Sequence, residues 1–159
     1  MAITLLPARP SDIRTFLAWR YEPPYDIYDI TDDVDESIEY FLDPSVQCHV
    51  LVDDGELIGF CTFGPDGRIP GGSYDEDAID IGLGMDPKRI GRGRGRDFVE
   101  AVADHAAALF PEVTQRVTIA TWNDRALATW RGVGFLEVAR FSVGDPIMGT
   151  RDFVILTSS

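Results

Sequence analysis

Lysine is almost missing from this chain: Lys88 is the only one, and cysteine and histidine are each limited to two residues. Each shortage excludes something. Cys48 and Cys61 lie in apolar, strand-like runs of a chain large enough to bury its own core, so they read as free buried thiols rather than a disulfide frame. His49 sits in an apolar strand and His105 among helical alanines, with no metal-ligand spacing around them, so no metal is expected. Neither a G-x-S-x-G elbow nor a Cys–His pairing occurs, which leaves covalent catalysis without support. No apolar run approaches the roughly 18 residues of a membrane span. The start, Met1 to Pro7, has no cationic region and does not read as a signal peptide, so a cytoplasmic location is expected. Positive charge is scarce too. Fourteen Lys and Arg face 27 Asp and Glu, a net charge of −13, which opposes general binding to nucleic acid or an anionic membrane. The acids are spread through nearly every turn, which fits a background bias better than one acidic pocket.

What remains is an ordinary globular composition, 45% apolar and 26% charged, in 159 residues: one domain over residues 1–159. Ile3–Leu6 reads as a strand. A helix opens at Pro10 with Ile13, Phe16 and Leu17 inward, and Pro23-Pro24 is expected to stop it. Asp33 or Asp35 caps a second helix whose face is Val34, Ile38, Phe41 and Leu42. Val46–Val52 and Leu57–Phe63 form a hairpin around Asp53-Asp54-Gly55. Residues 64–77 read as a mobile loop. Ile79–Met85 alternates as a strand, and a long helix follows with Phe98, Val102, Ala106, Leu109 and Phe110 buried. Val117–Thr121 is a strand, Asn123–Arg131 a helix, and Phe135–Val143 with Phe153–Leu156 a closing hairpin. The order β-α-α-β-β-β-α-β-α-β-β predicts a three-layer α/β fold around a mixed sheet.

The informative stretch is Ile90-Gly91-Arg92-Gly93-Arg94-Gly95, between a strand and a helix. Alternating glycines let backbone N–H groups converge, and the helix dipole adds partial positive charge, so the loop reads as a phosphate cradle. Lys88, Arg89, Arg92, Arg94 and Arg96 concentrate five of the chain's fourteen cations there. A P-loop needs Lys and then Ser or Thr, whereas Arg96-Asp97 follow Gly95. A dinucleotide fingerprint needs a different glycine spacing. Coenzyme A, with a diphosphate and a 3′-phosphate, fits better.

On these residues the sequence resembles the GNAT acetyltransferase superfamily. Residues 90–95 match its Q/R-x-x-G-x-G/A motif except at Ile90, and Asn123 to Phe135 is similar to its N-x-x-A-x-x-x-Y-x-x-x-G-F motif with Trp130 at the tyrosine. The resemblance implies a three-layer GNAT-like fold with the sheet splayed between Ile79–Met85 and Val117–Thr121, and acetyl-CoA as acyl donor. It implies pantetheine against the main chain of Leu83, Gly84 and Met85. It places the diphosphate on Ile90, Gly91, Arg92, Gly93, Arg94, Gly95 and Arg96, with Asn123 and Trp130 touching the cofactor. The activity implied is direct acetyl transfer to a primary amine of a small molecule or peptide N-terminus; the alternative is a non-catalytic acyl-CoA-binding module. An indole is no general acid, so the proton for the leaving thiolate falls to Tyr25, Tyr28, Tyr74 or water.

The expected base is Asp80, on the strand leading to the cofactor, with Gly82 and Gly84 leaving room on its face; Asp77 and Glu76 come next. Main-chain N–H groups of Leu83 to Met85 are the expected oxyanion donors. The acceptor is expected against residues 19–28 and the 64–77 loop, where Tyr25, Asp26 and Tyr28, with Glu22, Asp75 and Glu76, suit a cationic amine. An exposed final hairpin would offer a homodimer surface.

Overall fold

A computed structural model describes residues 3–90, 93–147 and 149–159, without the Asp145 side chain. Among the described residues the elements run β1 (Ile3–Pro7), α1 (Pro10–Leu17), α2 (Val34–Leu42), β2 (His49–Asp53), β3 (Glu56–Phe63), β4 (Ile79–Met85), α3 (Gly95–Leu109), β5 (Gln115–Ala120), α4 (Asp124–Gly132), β6 (Leu136–Asp145) and β7 (Gly149–Thr157). Their order is the one the sequence predicts.

Local chemistry sets most of the boundaries. The Asp12 carboxylate accepts from the Arg9 backbone N–H at 3.0 Å and from its guanidinium at 3.2 Å, closing the start of α1. This helix ends at Leu17, well before Pro23-Pro24, so the prolines belong to the connection and do not stop the helix. Asp33 caps α2 by accepting the Glu36 N–H. The expected face of α2 is corrected: Ser37 and Phe41 are buried while Val34 and Leu42 are each 43% exposed. Phe41 decides the rotation, packing its ring against Phe16 at 5.1 Å and Phe60 at 5.9 Å. β2 starts at His49 instead of Val46, because Gln47 adopts φ 48° and interrupts extended chain. Asp54 and Gly55, with φ of 52° and 81°, make the tight turn into β3.

The seven strands order as β1-β2-β3-β4-β5-β7-β6. Every neighbouring pair is antiparallel except β4–β5. One core lies beneath α1 and α2, with Ile13, Phe16, Phe41, Cys48 and Val50. The other lies beneath α3 and α4, with Phe63, Phe98, Val102, Leu127, Trp130 and Leu156. The sheet is thus covered on both faces, giving three layers. The Phe98 ring sits where a Cβ on Gly59 would be, 2.2 Å away, so β3 must carry glycine there for α3 to seat. Val99 is buried in α3, whereas Leu109, expected inside, is 44% exposed. The cysteines are both free and buried.

The strand junction that matters is β4–β5. β3–β4 and β5–β7 each hold five register pairs. β4 and β5 share only Ile79↔Gln115 and Asp80↔Arg116, then part. The sheet is splayed beyond that point.

Candidate functional site

The splay frees one edge of β4. Asp80 O accepts from Gly64 N at 2.8 Å and Asp86 N donates to Ile58 O at 2.9 Å, so the even-numbered residues of β4 bond to β3. Antiparallel alternation then turns the main-chain groups of Ile81, Leu83 and Met85 toward the opening. Gly84 points its main chain at β3 instead, which takes it out of the set of backbone donors read from the sequence. The recorded register irregularities lie between Leu51 and Val52 and between Glu137 and Ala139, so the opening comes from strand divergence.

Asp80 closes the narrow end of this opening. Only 1% exposed, it accepts two hydrogen bonds of 2.7 Å from the Arg116 guanidinium and one of 2.8 Å from Arg68. The hydrogen bonds to Asp80 hold Arg116 above its ordinary value despite burial. A carboxylate with both oxygens engaged by two guanidiniums is in a poor position to take a proton. Nor is the space beside it free. A Cβ on Gly82 would lie 2.7 Å from Thr62 Oγ1 and 3.3 Å from Asp66 Oδ2, and one on Gly84 would meet the Phe60 ring. The sequence offered no view of Arg68 and Arg116 as partners, because both lie far from Asp80 in the chain.

The loop at 64–77 is tied down on both sides of the junction. Arg68 reaches Asp80, and the Tyr74 hydroxyl shares a 2.9 Å hydrogen bond with Thr118 and accepts from Ile69 N. The Arg116 guanidinium also lies 4.9 Å over the Tyr74 ring. Asp66, in the 3-10 turn Pro65–Gly67, accepts hydroxyl hydrogen bonds from Thr62 at 2.8 Å and from Tyr40. Among the described residues it makes no ion pair, unlike Asp80. Glu76 and Asp77 are exposed, and Glu76 meets Arg116 only through its backbone carbonyl.

Gly91 and Arg92 of the glycine loop lie outside the described residues. Gly93 takes φ 73° with open space where a Cβ would be, and α3 begins at Gly95. Arg94 precedes it without a side-chain cap, so the first-turn N–H groups point outward unpaired by any cap. The local cationic excess is smaller than the sequence implies. Arg94 pairs with Asp53 at 2.6 Å, Arg89 with Glu56, and Arg96 with Glu100 at 2.8 Å. The Nε atoms of Arg89 and Arg94 are nevertheless enclosed without a hydrogen-bond partner. Ile90 is half-buried beside them.

The connection from α1 to α2 spans the mouth of the splay. The Tyr21 hydroxyl donates to Met85 O at 2.8 Å, at the β4 lip. Asn123, at the β5 lip, donates from Nδ2 to the Tyr28 hydroxyl at 3.2 Å while its Oδ1 caps α4 by accepting from Ala126 N. Burial pushes the Tyr21 and Tyr28 phenols up, so both keep their protons near neutral pH. Tyr28 and Tyr25 pack on Trp122 at 5.8 and 5.5 Å. Asp26 is exposed, and its backbone carbonyl accepts from Asp29 N. Tyr21, Asp66 and Arg68 fall within the 19–28 and 64–77 segments expected from the sequence but without individual roles there, and Trp122 lies outside both. For Trp122 the signal was available, since it directly precedes Asn123.

Trp130 is 3% exposed and packs edge-on against Phe135 at 4.7 Å, as part of the core under α4. His49 and His105 lie 5.2 Å apart against Phe63, between β2 and α3. Among the described residues no cluster of His, Cys, Asp and Glu could hold a metal ion, and no helix is long and apolar enough to cross a membrane.

Comparison with known proteins gives this geometry a context. Residues 12–135 match the model of the acetyltransferase (GNAT) family. The N-alpha-acetyltransferase RimI of Mycobacterium tuberculosis is 36% identical over 86 residues, 53% of this chain and 48% of that protein, so the match spans about half its length. Among solved structures, a chimera of the Vibrio cholerae spermidine N-acetyltransferase SpeG and hSSAT superposes with a TM-score of 0.80. It is 18% identical, with 98% of this chain and 94% of that one covered. The structure of yncA from Salmonella typhimurium with its cofactor acetyl-CoA gives a TM-score of 0.70 at 19% identity, covering 99% and 93%. At these identities the structures speak to the fold.

Proposed function

Because this chain belongs to the acetyltransferase (GNAT) family, we propose that it moves an acetyl group from acetyl-CoA to a primary amine of a small molecule or peptide N-terminus, by direct attack. The observation that carries this reading is the splay itself, with the Leu83 and Met85 main chain turned into it and an uncapped helix start alongside. Those residues fit the cofactor. Leu83 and Met85 offer the main-chain pairing that a pantetheine amide needs. The first-turn N–H groups of α3, with Gly93, Arg94, Gly95 and Arg96, offer donors and a dipole to a diphosphate, and Gly91 and Arg92 complete that loop in sequence. Asn123 joins the same site from the β5 lip once Tyr28 yields its amide.

Bound acetyl-CoA supplies a thioester carbonyl to an attacking amine. The N–H of Leu83 or Met85 stabilises the negative charge that builds on its oxygen. We assign the base role to Asp66 in place of Asp80, since Asp66 lies beside Gly82 at the middle of β4 and holds only neutral donors. It accepts the proton that the attacking nitrogen must lose. Tyr28, which accepts from Asn123 and keeps its own proton free, returns one to the departing sulfur. Trp130 then serves packing. Acidity of the whole chain argues for neither nucleic acid nor membrane as partner, and the exposed β6 edge remains a surface for a homodimer.

The test is thiol release from acetyl-CoA with a panel of amines. Asp66→Asn is expected to slow turnover about 10²- to 10⁴-fold near neutral pH with little change in acetyl-CoA affinity. Tight coenzyme A binding with no thiol release from any amine would instead support the non-catalytic acyl-CoA-binding module.

A further inference from the structure

Ion pairs neutralise most of the arginines among the described residues. Eight of its guanidiniums, on Arg9, Arg68, Arg89, Arg94, Arg96, Arg116, Arg131 and Arg140, form ion pairs, as a chain with 27 acids would lead one to expect. Of the four others among the described residues, Arg20 donates to the Leu17 and Trp19 carbonyls and Arg14 likewise makes no ion pair, but Arg125 and Arg151 differ from both in lying over aromatic rings. Among the described residues neither has a carboxylate partner or a side-chain hydrogen bond, yet each is held in place by an aromatic ring. Arg125 lies 5.1 Å over Tyr25, and Arg151 lies 5.2 Å over Phe153. Both belong to the β5 side of the splay, one on the first turn of α4 and the other on β7, which pairs with β5.

Their location is specific. Tyr25 and Tyr28 close on Trp122, making one aromatic cluster at the mouth. Arg125 covers the Tyr25 end, and the β5–β7 register, continued by the hydrogen bond from Thr121 N to Asp152 O, sets Arg151 opposite Trp122. Among the described residues the N–H groups of these two guanidiniums have no acceptor. Asp26 and Glu22, expected from the sequence to draw in a cation, are exposed, and among the described residues no side-chain hydrogen bond or ion pair joins either to the cluster.

We propose that the acceptor carries an anionic group, a carboxylate, which Arg125 and Arg151 bind beside the Tyr25–Tyr28–Trp122 cluster while its amine enters the splay. The substrate class is thus an amino acid or related aminocarboxylate, with its apolar side chain against the rings, and not a polyamine. This rests on the acetyl-transfer reading. Guanidinium N–H donors in a planar fork match a carboxylate, and a ring beneath each one holds the fork without consuming those donors. Displacing two arginine contacts from a charged group weakens recognition by about 10- to 100-fold.

The experiment compares L-leucine and L-phenylalanine with their carboxamides, and with spermidine, as acceptors for the full chain. Each free acid should exceed its amide in kcat/KM by at least about tenfold, mainly through KM. The double variant Arg125→Gln, Arg151→Gln should erase that preference, and each single variant should reduce it. Equal use of acid and amide, a preference for spermidine, or a ratio unmoved by the double variant would overturn the proposal. So would a fall in acetyl-CoA affinity with an unchanged acid-to-amide ratio, since the arginines would then serve cofactor phosphate. Absence of thiol release with every acceptor would sink the acetyl-transfer reading alone. Calorimetric titration of the same acids and amides into the coenzyme A-saturated protein then decides the carboxylate site by itself.

Discussion

The sheet is two half-sheets of different character. β1 to β4 lie side by side as a continuous antiparallel group; α1 and α2 form the connection from β1 to β2 and pack over one face, and only β2 and β3 are joined by a tight hairpin. β5, β7 and β6 form a second antiparallel group whose outer strand leaves Leu136 and Val138 exposed. Each half is held by long ladders. The halves meet through two residue pairs, one buried carboxylate with two arginines and the Tyr74–Thr118 hydrogen bond, above the core they share beneath α3 and α4. What the contrast teaches is that the cleft is a seam, open where its ladder stops and closed at its narrow end by the Asp80 pairs.

The severest way to break that seam is to remove its pin. Asp80→Asn should leave Arg116 buried without a counterion and cost about 3–5 kcal/mol, read as a lower urea midpoint. A base role for Asp80 predicts the opposite pattern, an unchanged midpoint with slower turnover. A lighter cut falls on the strap across the mouth. Tyr21→Phe deletes the hydrogen bond to Met85 O and should cost about 0.5–1.5 kcal/mol in the same urea titration. Loss of nothing measurable would mean that the strap does not couple the two lips.

The comparison is sharpened by the cysteines, which lie only in the first half. Burial, followed by the charges of Asp66 and Asp12, pushes the Cys48 thiol up to about 12 from an ordinary 9.0. A raised acid favours the folded state below its unfolded value. The contribution is therefore full below pH 9 and declines as the pH climbs toward 12. Native protein at pH 8 should resist thiol alkylation, with thermal stability falling modestly between pH 9 and 10.5. In a Trp19→Phe, Trp122→Phe variant, alkylation that outruns the loss of Trp130 fluorescence would mean that the first half opens before the second.

Most of the fold was legible because its signals are local. The Asp54-Gly55 turn, the Asp33 cap and the alternation of Ile79–Met85 each depend on neighbours in the chain. The misread positions depend on distant packing: Val34 and Leu42 face outward because Phe41 sets the rotation of α2 against Phe16 and Phe60. The site divides the same way. The glycine loop and Asn123 are proposed from spacing alone, which is local. The environment of Asp80 was not legible, since it is made by Arg116, 36 positions away, and Arg68, 12 positions away. Alternating glycines at 82 and 84 suggested empty space, when they mark where Thr62 and Phe60 press in.

The β2–β3 hairpin has one more consequence. Its tip carries Asp53 and Glu56, which already hold Arg94 and Arg89 at the entrance to the glycine loop. A polyphosphate arriving there exchanges partners with resident carboxylates instead of shedding small ions. Added salt weakens the old pairs and the new ones alike. Affinity for coenzyme A should then vary less steeply with ionic strength than the number of arginines would suggest.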